Sequence, residues 1–379
     1  MAKGRLIRVL VVDDSLVMRS LLRMVLGTEP RIIVAGTASD GESALKAMDQ
    51  LRPDLVLMDI EMPGLDGLST LRRMRVLHRK MPVIMCSTLT RRGAGVTIEA
   101  LALGAADYVT KPDRACSRED AIWQLAVQLV PKVLALTASL DEAQSRTPPL
   151  APMPVPVVKP AVRQSGFAQP RVMVLGISTG GPAALDRLIP ALPADFPLPI
   201  LLVQHMPQLF TRLLAERLDQ RSKLNVSEAV DSEPVVAGHV YVAPGDQHMK
   251  VVVAQGNRSS VLRITQGPPE NHCRPAVDVL FRSAIPVYGR GVLGVIMTGM
   301  GSDGLLGCQG IRNAGGTILA QDEESSVVWG MPGSVVKAGL ADRIVPLSGM
   351  AAEILRFAGN REISAGAEIG AAAPRELAG

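Results

Sequence analysis

The stretch Arg171-Val-Met-Val-Leu-Gly-Ile-Ser-Thr-Gly-Gly-Pro182 decides how this 379-residue chain is read. Val172 to Leu175 is a short, unbroken apolar run, which predicts a strand buried on both faces of a parallel sheet. The run breaks at Gly176, and Pro182 suits the first turn of a helix, where its missing N–H costs nothing. Leu185, Leu188, Ile189 and Leu192 continue at helical spacing. Ser178 is thereby placed on a tight strand-to-helix turn, with glycines clearing the approach and orphan N–H groups of the helix start facing the same space. That suits an oxygen nucleophile beside an oxyanion site, and Gly176-Ile-Ser-Thr-Gly180 fits the G-x-S-x-G pattern. A serine that merely caps a helix fits the same residues, so the decision lies elsewhere in the chain.

Working outward, 379 residues are too many for one ordinary domain, and 47% hydrophobic with 20% charged residues provides a sizeable core and argues against global disorder. Aromatics at 3% argue against a base-stacking nucleic-acid surface. The net charge of +4 is spread without a basic arm and is compatible with an acidic protein partner. Cys86, Cys116, Cys273 and Cys308 form no C-x-x-C pair and fit reduced thiols. The basic start reaches Asp13 too soon for a signal peptide, and no stretch reads as a bilayer span, so a cytoplasmic protein is expected.

Upstream, apolar runs at Val9–Val12, Ile32–Ala35, Asp54–Met58, Pro82–Cys86 and Ala106–Thr110 alternate with helical patterns, among them Gly41–Met48 and the one carrying Ile122, Leu125, Leu129 and Val133. This predicts a doubly wound parallel sheet, a (βα)5 domain over 1–140. Asp13, Asp14 and Asp59 fall at strand ends, where they would converge, flanked by Ser87 and Lys111. Three such carboxylates need a cation, and oxygen ligands suit Mg²⁺. Asp59 is placed to accept a phosphoryl group, Lys111 to neutralise it, and Ser87 to hydrogen-bond the new oxygens.

Residues 141–169, with Thr147-Pro-Pro-Leu-Ala-Pro-Met-Pro-Val-Pro156, read as an extended linker. The 170–360 segment reads as a second doubly wound domain, a mostly parallel α/β sheet with a β-hairpin insertion. Strands are expected at Pro199–Val203, Gly291–Met297 and Gly316–Ala320, with hairpin strands at Val240–Ala243, Met249–Val253 and Val261–Ile264. Residues 361–379 read as a poorly ordered tail. Three strand-end loops offer Ser178, His205 and Asp303, the types that acyl transfer needs as nucleophile, proton shuttle and orienting carboxylate. Their chain order differs from that of α/β-hydrolases, and Ser178 occupies the middle glycine position of a dinucleotide fingerprint, weakening both alternatives. Of the other histidines, His78, His239 and His248 are expected at the surface, and His272 is the reserve candidate for the base. No histidine pair has zinc spacing.

Val11-Val-Asp-Asp14, Leu57-Met-Asp-Ile-Glu-Met-Pro-Gly-Leu-Asp-Gly67 and Tyr108-Val-Thr-Lys-Pro112 closely resemble the receiver domain of two-component response regulators. Gly176-Ile-Ser-Thr-Gly-Gly-Pro182, Gln204-His-Met-Pro207, Arg274-Pro-Ala-Val-Asp-Val-Leu-Phe281, Thr298-Gly-Met-Gly-Ser-Asp-Gly304 and Ala320-Gln-Asp-Glu323 through Gly330-Met-Pro332 resemble the catalytic domain of the chemotaxis protein-glutamate methylesterases. Trp329, where a smaller aromatic is usual, and Ser302, at a variable position, are small departures. The resemblance implies phosphorylation of Asp59 by a chemotaxis histidine kinase, with Mg²⁺ nearby. It implies Ser178, His205 and Asp303 as a triad, with backbone donors at Thr179 and Met300. The implied substrate is the glutamyl methyl ester on chemoreceptor cytoplasmic helices, and some members also deamidate receptor glutamines. A monomer without nucleic-acid or membrane partners is expected. A phosphorylation-controlled binding module without turnover is the competing class.

Overall fold

The computed structural model describes residues 5–77, 81–112, 116–145, 169–254, 256 and 259–359, with 139–145 described by backbone alone. His78, most of the linker and the tail lie outside the described residues.

In the N-terminal half, β1 (Ile7–Val12), α1 (Leu16–Leu26), β2 (Ile32–Ala38), α2 (Gly41–Leu51), β3 (Leu55–Asp59), α3 (Gly67–Leu77), β4 (Val83–Ser87), α4 (Arg91–Ala102), β5 (Asp107–Thr110) and α5 (Arg118–Ser145) follow one another. Every pairing is parallel, in the order β2-β1-β3-β4-β5. The apolar runs of β3 and β4 are buried along their whole length because helices cover both faces of the sheet.

The C-terminal half begins with β6 (Val172–Ile177), α6 (Gly181–Leu188), β7 (Ile200–Gln204), α7 (Gln208–Arg221), β8 (Asn225–Glu228), β9 (His239–Val242), β10 (His248–Val253) and β11 (Ser260–Thr265). It continues with α8 (Val277–Tyr288), β12 (Val292–Ile296), α9 (Leu305–Asn313), β13 (Thr317–Gln321), α10 (Met331–Lys337), β14 (Arg343–Val345) and α11 (Leu347–Ala358). A seven-stranded parallel sheet runs β14-β13-β12-β6-β7-β9-β8, and β10 and β11 form a separate antiparallel hairpin. The chain winds outward from β6 in one direction and later in the other. The loops after β6, β7 and β12 therefore share the crevice at the switch point.

Four expectations need correction. Val240–Ala243 was expected in a hairpin, yet β9 pairs parallel with both β7 and β8. A short apolar run has no mark of direction, and β8, too polar to be anticipated, supplies its outer neighbour. His248, expected at the surface, is buried, its ring bridging the Ala276 N–H and the Pro268 carbonyl. His239 is half-buried against the Ser227 hydroxyl, with its ring stacked on Tyr241. Finally, Arg118–Ala138 within α5 is long and apolar enough by length and composition to cross a membrane. Its apolar stripe of Ala121, Leu125, Leu129 and Val133 is covered by the first sheet and α1, while Trp123 and Val127 on the other side are exposed.

The two halves pack directly on one another. Helix α4 lies against α6 and α7, and buried side chains from both sheets run into one cluster. Tyr108 at β5 stacks on Phe210 at the start of α7, ring centroids 4.5 Å apart and planes 22° apart. Because Phe210 is fully buried between the second sheet and that stack, Phe210→Ala is expected to destabilise the chain by about 3–5 kcal/mol in denaturant unfolding.

Candidate active site

The turn after β6 is built by close backbone packing. The Ser178 N–H donates to the Thr298 carbonyl at 2.9 Å, and the Ser178 carbonyl accepts from the Gly181 N–H at 2.7 Å and from Gln204 Nε2 at 3.1 Å. Gly180 has φ of 80°, and a Cβ there would meet the Val327 side chain at 2.6 Å. At Gly299 a Cβ would come within 2.8 Å of the Ser178 Cβ, so glycine lets the β12 loop close on the serine. Thr298 ties three strands' loops together. Its hydroxyl donates to the Thr179 carbonyl and accepts the Val328 N–H, while its own N–H donates to Gln321 Oε1. Gln204, Thr298 and Gln321 lie inside the stretches that carry the sequence resemblance, but nothing there assigned them a role. Only burial at a strand end marks them as positioning groups.

His205 leaves β7 at the level where Ser178 leaves β6, since Ile177 pairs with Gln204 in parallel register. Neighbouring strands lie about 4.8 Å apart, so the two residues start side by side. Asp303 arrives from the opposite flank, on the loop after β12. Its Oδ2 lies 2.8 Å from His205 Nε2 and accepts the Val277 N–H at 2.7 Å. Its Oδ1 accepts from the Asp278 N–H and from Asn271 Nδ2, both at 3.0 Å. Two of these donors are the first N–H groups of α8, so the carboxylate sits at the positive end of that helix. Burial pushes the Asp303 carboxyl up, but the His205 hydrogen bond and charge and the α8 N–H groups hold it below the usual range. Burial pushes the His205 ring down, yet Asp303 and the Cys273 sulfur together raise it to about 9.

With Nε2 committed to Asp303, Nδ1 is the ring nitrogen left for another partner. Cys273 Sγ lies 3.7 Å from it. Ser178 and His205 are therefore brought to the same rim, but no hydrogen bond joins the serine hydroxyl to the imidazole among the described residues. The Thr179 and Met300 N–H groups likewise make no backbone hydrogen bond among the described residues. His272, exposed, lines the same cavity of about 450 Å³ as His205, Cys273 and Arg274.

The far wall of that cavity belongs to the N-terminal half, through Tyr108, Thr110, Gln128 and Lys132. The contact extends to the serine turn itself. The Thr179 hydroxyl donates to Asp107 Oδ2 at 2.5 Å, and the Gly180 N–H donates to the Ala106 carbonyl at 3.1 Å. Asp107 Oδ1 is held in turn by Lys132 Nζ at 2.7 Å. Sequence reading did not single out Asp107, because its partner lies on the other sheet.

At the carboxyl edge of the first sheet, ligand oxygens of Asp13, Asp14 and Asp59 lie within 4.8 Å of one another. Lys111 Nζ is 2.8 Å from Asp13 and 2.7 Å from Asp59. Burial lifts the Asp59 carboxyl to about 6 against the pull of Lys111, with the Asp13 charge adding to the rise. Ser87 is buried beside them, its hydroxyl accepting from Thr97 Oγ1 at 2.7 Å. An all-oxygen donor set at the mouth of a cavity of about 700 Å³ fits a small hard cation such as Mg²⁺.

Residues 9–118 match the family described as response regulator receiver domain, and residues 173–354 match the CheB methylesterase family. A protein-glutamate methylesterase/protein-glutamine glutaminase of Trichodesmium erythraeum is 46% identical over 93% of this chain and 99% of its own. One of Nocardioides sp. is 48% identical over 92% and 95%. The crystal structure of the Thermotoga maritima CheB methylesterase catalytic domain is 42% identical, with a TM-score of 0.48, and covers 50% of this chain and 100% of that one.

The raised His205 value carries a pH signature. The fold favours the protonated ring, so this contribution to stability is complete below the ordinary 6.5 and is lost as pH rises through about 9. The imidazole resonances should titrate with a midpoint near about 9, and Asp303→Asn should move that midpoint down toward 6.5. Relative to His205→Asn, the wild-type unfolding free energy should fall across that window.

Proposed function

Since this chain belongs to the protein-glutamate methylesterase/protein-glutamine glutaminase family and carries a response-regulator receiver at its N-terminal end, we propose that it is a phosphorylation-regulated hydrolase of glutamyl methyl esters on chemoreceptor cytoplasmic helices, with receptor glutamines as further substrates. The observation that carries this reading is the oriented His205–Asp303 pair beside Ser178 on adjacent strand-end loops. Ser178 Oγ attacks the ester carbonyl as His205 Nδ1 takes its proton. The developing oxyanion lies toward the Thr179 and Met300 N–H groups. Asp303 holds the ring and stabilises the imidazolium. The proton passes to the departing methoxy oxygen, methanol leaves, and a water activated by the same nitrogen releases the glutamate.

A histidine kinase is the phosphodonor in this reading, and the Asp59 carboxylate accepts the phosphoryl group. Asp13, Asp14 and Asp59 would hold Mg²⁺, which supplies positive charge against the phosphoryl oxygens. Lys111 neutralises the same group, and Ser87 offers it a hydroxyl. Gating follows from the domain contact, because Asp107 and the Ala106 carbonyl engage the turn that carries Ser178. Phosphorylation would release that turn.

Ser178→Ala should lower methanol release from methylated receptor by at least about 10³-fold, while a binding module without turnover would release none from the wild type. Asp107→Ala removes a charge-assisted bond across the domain contact, so the unphosphorylated rate should rise about tenfold or more. A rate unchanged by this substitution would remove Asp107 from the gate.

A further inference from the structure

The hydrolytic chemistry uses His205 but not its contact with Cys273, and the spacing of the two donors is that of two adjacent metal ligands. Zinc bonds of about 2.0 Å to imidazole and 2.3 Å to thiolate, opened to a tetrahedral angle, separate the two donors by roughly 3.5 Å. His205 Nδ1 and Cys273 Sγ stand 3.7 Å apart. Nε2 is tied to Asp303, so Nδ1 is the nitrogen that faces the sulfur, and a metal bound there would displace the proton between them. A histidine ligand commonly has a carboxylate on its other nitrogen in this way. Asp303 itself is saturated, with Val277, Asp278, Asn271 and His205 on its two oxygens, so it serves as the outer partner.

Cys273 is presented by a built turn. Glu270 and Cys273 exchange N–H···O bonds of 3.0 and 2.8 Å, and the two residues between them, Asn271 and His272, have φ of 53° and 62°. That is the positive-φ pair of a tight hairpin turn. Glu270 is anchored by both arms of Arg282 at 2.5 and 2.6 Å, and Asn271 by Asp278 and Asp303. The sulfur and the imidazole both line the 450 Å³ cavity, which gives a cation a way in and room for water as its remaining ligands, and His272 lines the same space.

We propose that His205 Nδ1 and Cys273 Sγ form a binding site for a soft divalent cation of the zinc class, and that its occupation switches the hydrolase off by taking the nitrogen lone pair that would receive the Ser178 proton. The inhibitory half rests on the function proposed above, and the binding half does not. The site differs in kind from the Asp13, Asp14 and Asp59 cluster, whose oxygen donors suit a hard cation.

The test uses the full chain in excess Mg²⁺, with Co²⁺ as the spectroscopic probe and Zn²⁺ as its competitor. Wild type should show a thiolate-to-cobalt charge-transfer band that about one Zn²⁺ per chain abolishes. Zn²⁺ should also protect Cys273 from alkylation, which reports on the folded wild type without any substitution. Cys273→Ser should lose the band and bind Zn²⁺ at least about tenfold more weakly. A band that persists in Cys273→Ser, or no band and no protection in wild type, overturns the site. Zn²⁺ should reduce methanol release by wild type about tenfold or more and by Cys273→Ser less than about twofold, and Zn²⁺ that binds wild type without slowing it overturns the inhibitory half. If no form releases methanol, the hydrolase reading has failed, and the cobalt band still decides the metal site.

Discussion

The Asp303 carboxylate is the fixed point of the C-terminal half. It lies on the loop after β12, receives the first N–H groups of α8, is bridged by Asn271 to the turn before that helix, and holds the imidazole that follows β7. A buried carboxylate left without these donors would be costly by several kcal/mol. Those three segments are therefore obliged to meet wherever Asp303 goes. The same oxygens that settle the loops also set the chemistry of the site. They hold Nε2 of His205, leave Nδ1 for the Cys273 sulfur, and with that sulfur raise the ring to about 9 against the pull of burial.

Around this point the sheet supplies register. Because β6 lies between β12 and β7, side chains that leave the three strands at one level share a rim with no long-range adjustment. Gly180 and Gly299 then allow the backbones to close to distances that a Cβ would prohibit. The cost is a crowded rim. Cys273 and the receiver's β5 edge share the cavity in front of His205, and the sulfur holds the place beside Nδ1. The receiver contributes to that crowding through Asp107, whose second oxygen is neutralised by Lys132 within its own domain. The receiver thereby touches Thr179, the residue next to Ser178, and packed interfaces of this kind shift between discrete arrangements.

Much of this was legible in the residues. The apolar runs of β1, β3, β4, β6, β7, β12 and β13 fall where the strands are, because a strand buried on both faces must be apolar throughout. Residues at their carboxyl ends could be assigned to a common crevice for the same topological reason. Legibility fails where the sequence pattern is local but the partner is distant. Strand β9 looked like part of a hairpin, and only β7 and β8 settle its direction. Strands β8 and β14 are short and lie at the edges, so they carry too few buried positions to leave a period. His248 sits beside a turn and so seemed exposed, whereas the Pro268 and Ala276 backbone groups that satisfy its ring come from segments about 20 and 28 residues away.

The sequence by itself determined the inner strands of the two parallel sheets, their order along the chain and the set of polar side chains placed at their ends, because each depends only on local periodicity and on a topological rule. The tertiary structure alone decided which nitrogen Asp303 takes, that Cys273 stands against the other, and that Asp107 reaches across to Thr179. Those contacts join residues from 68 to 98 positions apart. Nothing in a chain's local pattern encodes the approach of two side chains over such separations, which is set by how whole layers pack.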